Sequence, residues 1–191
     1  FLVSLNEDGG VDDITDWSED GTISDKNGKI SFTRSVVMPR RTEKPGIDAN
    51  VIEHRFTYLF GLNFADGRLD PSDSTDKAKK SHKAFAERNL EFLEGLDSPV
   101  VNAYRNFILN WIPEEQVLNP YILSCGKKCK SGYFAFCLSG HPELLLHDDS
   151  QVNAKWKKKF NETEEGNGKR QAQCCITGRP AEIPRTHNKI K

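Results

Sequence analysis

The stretch Ser74–Gly95, STDKAKKSHKAFAERNLEFLEG, and the one that follows it, Asp97–Trp111, DSPVVNAYRNFILNW, decide the fold. In the first, Ala78, Ser81, Phe85, Asn89 and Phe92 recur at helical spacing on one face, with Leu93 and Leu96 beside it. Ser74 is the expected N-cap and Gly95 the stop. In the second, Ser98 reads as a cap and Pro99 occupies the first helical position, where a missing N–H costs nothing. Val100, Val101, Tyr104, Phe107, Ile108 and Trp111 form its apolar stripe, and Pro113 ends it. Two amphipathic helices joined by Gly95–Ser98 predict an αα-hairpin.

Strands are expected on either side. Phe1–Leu5 followed by Asn6–Gly10 reads as a strand and a turn, and Val11–Trp17 as a second strand. Lys26–Lys29, KNGK, is a hairpin signal; beyond it Ile30, Phe32 and Arg34 alternate as in an edge strand that Pro39 closes. Ile47–Phe64 is apolar and aromatic without a clean period, which suits a short helix or strand at a core edge. Gly132–Gly140 alternates, with Phe134, Phe136 and Leu138 on one side, and Glu143–His147 is expected to pair with it. Asp149 is placed to cap a helix running to Phe160. Residues 161–172 read as a polar, mobile linker, and Gln173–Gly178 as a short strand entering a turn. The fold class is therefore α+β: a single domain with antiparallel strands packed around a central helical hairpin.

The 191 residues are 36 % hydrophobic and 29 % charged, a water-soluble composition with a chain long enough for a core without disulfide staples. No apolar run approaches a membrane span. The chain starts without Met and its only Met is Met38, so the N-terminus reads as cut. Five cysteines form an odd set without framework spacing, which favours a reducing cytoplasm over a secreted scaffold.

The net charge of -1 conceals a segregation. Residues 1–25 carry eight acids and no Lys or Arg, residues 26–46 carry six bases against Glu43 alone, and residues 155–191 carry ten bases against four acids. Four separate basic loops stand out. Arg40, Arg41 and Lys44 lie in a loop stiffened by Pro39 and Pro45. His54 and Arg55 follow Asn50 and adjoin Phe56 and Tyr58. Lys127, Lys128 and Lys130 lie at an expected hairpin tip, and Arg179, Arg185, His187 and Lys189 in the last stretch. Guanidinium and ammonium groups on loops suit phosphate or base-edge contact, although each such run also suits a solvated surface.

Other chemistry is less well supported. Cys125 and Cys129 form a loose pair and Cys174–Cys175 have no spacer, which is poor zinc spacing. His187 follows Cys175 by twelve residues with nothing to orient it as a base for a thiolate. His147–Asp149 offers a cation-binding trio, though a helix cap explains Asp149 equally. A metal-dependent nuclease and a zinc-stabilised docking module therefore stand as alternatives to a nucleic-acid binder.

The closing stretch, CCITGRPAEIPRTHNKIK, resembles the C-[AL]-V-[TS]-G-x-x-x-x-I-x-R-x-H-x-x-I-K signature of the Csd family, the large subunit of the type I-C CRISPR surveillance complex, Cascade. Cys174, Thr177, Gly178, Ile183, Arg185, His187, Ile190 and Lys191 match it in order. Asn50–Leu62, NVIEHRFTYLFGL, is similar to the family's N-[LF]-I-E-H-R-P-x-Y-x-F-G-L, with Phe56 where many members have Pro. Lys80–Trp111, Phe134–Asp149 and Ile176–Pro180 also look like the family, in the expected order.

The resemblance implies that residues 1–191 are an N-terminal fragment, lacking an upstream helix and a C-terminal part. It implies a non-enzymatic subunit that recognises the short motif flanking a DNA target (the PAM), helps open the duplex and handles the displaced strand. The implied partners are double-stranded target DNA, subunits bearing guide RNA and a recruited helicase–nuclease, with no cofactor and no membrane. Asn50, His54 and Arg55 are then expected at base edges or in the minor groove. Arg40, Arg41, Lys44, Lys127, Lys128 and Lys130 are expected on phosphates, and Arg179, Arg185, His187 and Lys189 at nucleic acid or at the rest of the protein.

Overall fold

The structure is a computed structural model that describes residues 1–17, 23–24, 30–31, 36–39, 45–70, 77–165, 171–173 and 180–182. In chain order the strands are β1 (Leu2–Leu5), β2 (Val11–Thr15), β3 (Ile23–Ser24), β4 (Ile30–Ser31), β5 (Asn63–Ala65), β6 (Arg68–Asp70), β7 (Ala135–Leu138), β8 (His141–Leu145), β9 (Gln171–Gln173) and β10 (Pro180–Glu182). The helices are α1 (Phe56–Phe60), α2 (Lys77–Leu93), α3 (Pro99–Asn110), α4 (Pro120–Cys125) and α5 (Ser150–Glu165), with short 3₁₀ turns after α3, α4 and β8. The class is mixed α+β, as expected. The chain divides into two compact units, 1–153 and 154–191.

In the first unit a four-stranded sheet runs in the order β2-β1-β7-β8. Its central pair, β1 with β7, is parallel, and the outer pairs are antiparallel. A parallel pair needs a crossover, and here the crossover holds the predicted helical hairpin. Register sets the two faces: Val3 lies opposite Phe136 and Leu5 opposite Leu138, while Leu2 lies opposite Ala135 and Ser4 opposite Cys137. The first face receives α3. Tyr104 and Phe107 lie 4.8 and 5.6 Å from the Phe136 ring, and Phe60 meets Phe134 edge-on at 5.2 Å. The second face is covered at Leu2, Ala135 and Cys137 by Trp17, Met38 and Leu145. β7 is therefore buried at every position, not half-exposed as its alternating pattern suggests.

The hairpin follows its sequence closely. Ala78, Ser81, Phe85, Asn89, Phe92 and Leu93 are the buried residues of α2. Ser98 caps α3 with Pro99 in its first turn, the Ser98 hydroxyl accepting from Val101 N at 3.4 Å. Ser74 lies outside the described residues. Arg105 closes the end of α2 by donating from Nη2 to the carbonyls of Leu93 (3.0 Å), which also accepts from Leu96 N (3.1 Å), and Leu96 (2.6 Å), where a helix C-terminus leaves carbonyls without intrahelical donors. Asp149 caps α5, its Oδ1 accepting from Gln151 N (2.9 Å) and Val152 N (3.0 Å). Ile23–Ser24 and Ile30–Ser31 pair antiparallel, as the KNGK signal predicts, although residues 26–29 lie outside the described set. Of the expected linker, 161–165 continue α5, 171–172 belong to β9, which pairs with β10, and 166–170 lie outside.

The Asn6–Gly10 turn ties sheet to hairpin. Asn106 and Asn110, one turn apart on α3, donate to the carbonyls of Glu7 (2.8 Å) and Asp8 (3.1 Å). Gly9 has a φ of +85°, and a Cβ there would stand 2.7 Å from Phe107 Cα, within the α3 backbone. Only glycine satisfies both the left-handed conformation and the close approach. Gly9→Ala is expected to destabilise the protein by about 2–4 kcal/mol, read as a lower urea midpoint with an unchanged slope; a midpoint within error of wild type would show that the turn does not bear on α3.

Candidate nucleic-acid interface

The NVIEHRF segment is organised by its acid. Glu53 is fully buried, and its carboxylate accepts from the backbone N–H groups of Asn50 (2.8 Å), His54 (2.9 Å) and Arg55 (3.1 Å). Arg55 adds a fork, Nε to Oε1 at 3.0 Å and Nη2 to Oε2 at 2.6 Å, the bidentate geometry of the strongest side-chain pairs. Burial pushes the Glu53 carboxyl up, but the hydrogen bonds from Arg55, Asn50 and His54 and the Arg55 charge outweigh it and leave the pKa below the usual value of 4.5. Burial likewise works against the Arg55 charge, and Glu53 more than offsets it, so the guanidinium is held above its ordinary pKa.

The turn is strained and clamped. Ile52 has a φ of +51°, a left-handed conformation that a β-branched residue rarely adopts and that costs about 1–3 kcal/mol. Asn89 of α2 holds it there: its Oδ1 accepts from Ile52 N at 2.8 Å, while Nδ2 donates to the carbonyls of Asn50 and Phe85, both at 3.0 Å. A polar residue on the apolar face of α2 is thus explained by the loop it carries.

Arg55 leaves this turn toward the surface. Its Nη2 donates to the Asp48 carbonyl at 2.7 Å, its guanidinium lies 3.8 Å from the Tyr58 ring centre, and its main chain forms an antiparallel bridge with Tyr133. Phe134 N donates to the His54 carbonyl at 3.1 Å. The bridge brings His54 and Arg55 to the segment carrying the lysines. That segment is no hairpin tip: Gly126–Lys130 forms a 3₁₀ turn directly after α4. Gly126, at φ 56° and ψ -147°, adopts a conformation essentially closed to other residues, and so redirects the chain. Cys129 points into the core, its thiol pushed up to about 11 chiefly by burial. With Cys129 inward, Lys127, Lys128 and Lys130 are left exposed. Lys128 pairs with Asp16 at 3.3 Å, whereas among the described residues Lys127 and Lys130 have no ion pair. Gly132 N donates to Lys128 O at 2.9 Å and closes the turn against Tyr133.

The remaining expected contacts fall differently. Asn50 is 3 % exposed and sits inside the clamped turn. The side chains of His54 and Arg55 are 14 % and 34 % exposed, at its rim. Arg40, Arg41, Lys44, Arg179, Arg185, His187 and Lys189 lie outside the described residues. Burial raises the thiol pKa of Cys125 and Cys137, and Cys174 and Cys175 also lie outside. His147 is buried beside Trp17, and Asp149 is engaged as a helix cap. Among the described residues no three of His, Cys, Asp and Glu are grouped to hold a metal ion, and no helix is long and apolar enough to cross a membrane.

Glu53→Gln keeps the side chain's shape but removes the charge opposite Arg55, and is expected to cost about 3 kcal/mol at neutral pH. Because the folded pKa of Glu53 lies below its unfolded one, the carboxylate's contribution is fully present above the unfolded pKa and is lost as pH falls through the folded value. The stability gap between wild type and variant therefore narrows in acid. A gap independent of pH, measured by denaturant titration at several pH values, would contradict this assignment.

A comparison with curated proteins found no match. The family model described as CRISPR-associated protein (Cas_Csd1) matches residues 1–191. With its whole length matched, and with a buried Glu53 organising the same NVIEHRF segment that carries the resemblance, this chain belongs to the Csd1 family of CRISPR-associated proteins.

Proposed function

We propose that the chain is a non-enzymatic, DNA-contacting part of an RNA-guided Cascade complex, which recognises the motif flanking the target and helps open the duplex. Family membership supports the setting. The observation that carries the DNA contact is the Gly126–Lys130 turn: three exposed lysines around a buried cysteine, joined through Tyr133 to Arg55. A turn that buries its only apolar side chain and displays its ammonium groups suits phosphate.

In this reading Lys127 and Lys130 grip the backbone, with Arg40, Arg41 and Lys44 as further phosphate contacts. His54 and Arg55 stand at base edges, and Asn50 supports them from within the turn. Arg179, Arg185, His187 and Lys189 extend the basic surface or dock to the remainder of the protein. Sequence reading is left to guide-RNA pairing on neighbouring subunits, and a recruited helicase–nuclease performs cleavage.

The test is binding of target duplex by the assembled complex across a salt series, with the flanking motif intact or scrambled. A Lys127→Ala/Lys130→Ala variant is expected to weaken binding similarly for both duplexes and to flatten the log–log salt slope by roughly two. Unchanged affinity and slope would overturn the assignment of this turn to phosphate.

A further inference from the structure

Tyr133 is 72 % exposed, an unusual position for a large ring at the edge of an aromatic core. Its backbone is held on both sides, by the bridge to Arg55 and by the donation of Gly132 N to Lys128 O. Its ring is braced by His54, whose ring centre lies 4.6 Å away at 78°. A perpendicular contact occupies one edge or one face of the tyrosine. At 72 % exposure most of the Tyr133 surface stays accessible beside that contact, on a side chain that the contact helps to orient. The lysine turn ends three residues upstream, with Lys127 and Lys130 exposed and without ion pairs among the described residues.

We infer that Tyr133 is a stacking platform for an unpaired DNA base, with Lys127 and Lys130 holding the phosphates on either side of it. The inference rests on the DNA-contacting reading above and adds to it the state of the ligand, since a base sealed in duplex offers no open face. An exposed ring flanked by ammonium groups is the arrangement by which single strands are held without sequence preference, because every base has a face and a phosphate. A braced ring binds with less conformational loss than a free one. The site would therefore take up a base from a strand already parted, and would favour the open over the closed duplex.

The test uses the full chain and a single-stranded oligodeoxynucleotide bearing one 2-aminopurine, whose fluorescence is quenched on stacking. Quenching on binding is expected in the wild type and in Tyr133→Phe, which keeps the ring and loses the hydroxyl. Tyr133→Leu keeps apolar bulk at a strand-like position but has no aromatic face; it is expected to lose the quenching and to bind roughly five- to 150-fold more weakly, with its melting temperature near that of wild type. Leucine binding and quenching as tyrosine does would overturn the platform. If Lys127→Ala/Lys130→Ala weakens binding while Tyr133→Leu does not, stacking fails and the DNA-contacting reading survives. If neither variant alters binding, both fail together. Displacement of the DNA by a much lower concentration of the matching oligoribonucleotide would overturn the assignment to DNA.

Discussion

A buried carboxylate is costly unless its lone pairs are met, and everything at the candidate interface follows from how Glu53 meets that requirement. Its partners are the backbone N–H groups of Asn50, His54 and Arg55 and the Arg55 guanidinium. To deliver them the chain must fold back on itself within Asn50–Arg55, and the fold-back places Ile52 in a left-handed conformation. The strain persists because Asn89, anchored in α2, over-determines the same loop from the other side. The clamp then directs Arg55 and His54 outward, where they meet Tyr133. The candidate interface around His54 and Arg55 is thus built outward from an interior acid.

The sheet and hairpin make this possible by rigidity. β1 pairs in parallel with β7, so strands from opposite ends of the first unit share one ladder, and the helices between them close over the aromatic face. Phe60, Phe107, Phe134 and Phe136 link α1, α3 and the β7 segment through ring contacts between 5.2 and 6.2 Å. Each fully buried ring contributes on the order of 1.5–3 kcal/mol. Phe134 belongs to this cluster, whereas its neighbour Tyr133 faces solvent. One strand alternation therefore divides a core anchor from a solvent-exposed ring.

Much of this was legible in the residues. The hairpin's buried face, the Ser98 and Asp149 caps and the β1–β2 turn follow from periodicity and capping chemistry, which act over a few residues and need no knowledge of partners. Some signals were present but unread: Asp66–Gly67, with both φ values positive, makes the β5–β6 turn, and Asn119–Pro120 opens α4 with an N-cap that accepts from two backbone N–H groups. Spacing puts Asn89 on the apolar face of α2, and a polar residue there is itself a sign of a buried loop.

By itself the sequence determined the elements and the kind of surface: amphipathic helices, strand-forming runs, and several loops rich in lysine and arginine. These depend on local propensity and on side-chain chemistry. Tertiary structure alone decided that β1 and β7 are neighbours, that β7 is covered on both faces, that Asn50 turns inward, and that the lysine turn is 3₁₀ with Cys129 as its root. The physical reason is common to all four. Each depends on what a residue meets across a long separation in the chain, and a carboxylate, a thiol or an aromatic ring reads the same in sequence whether its partner is water or a buried neighbour.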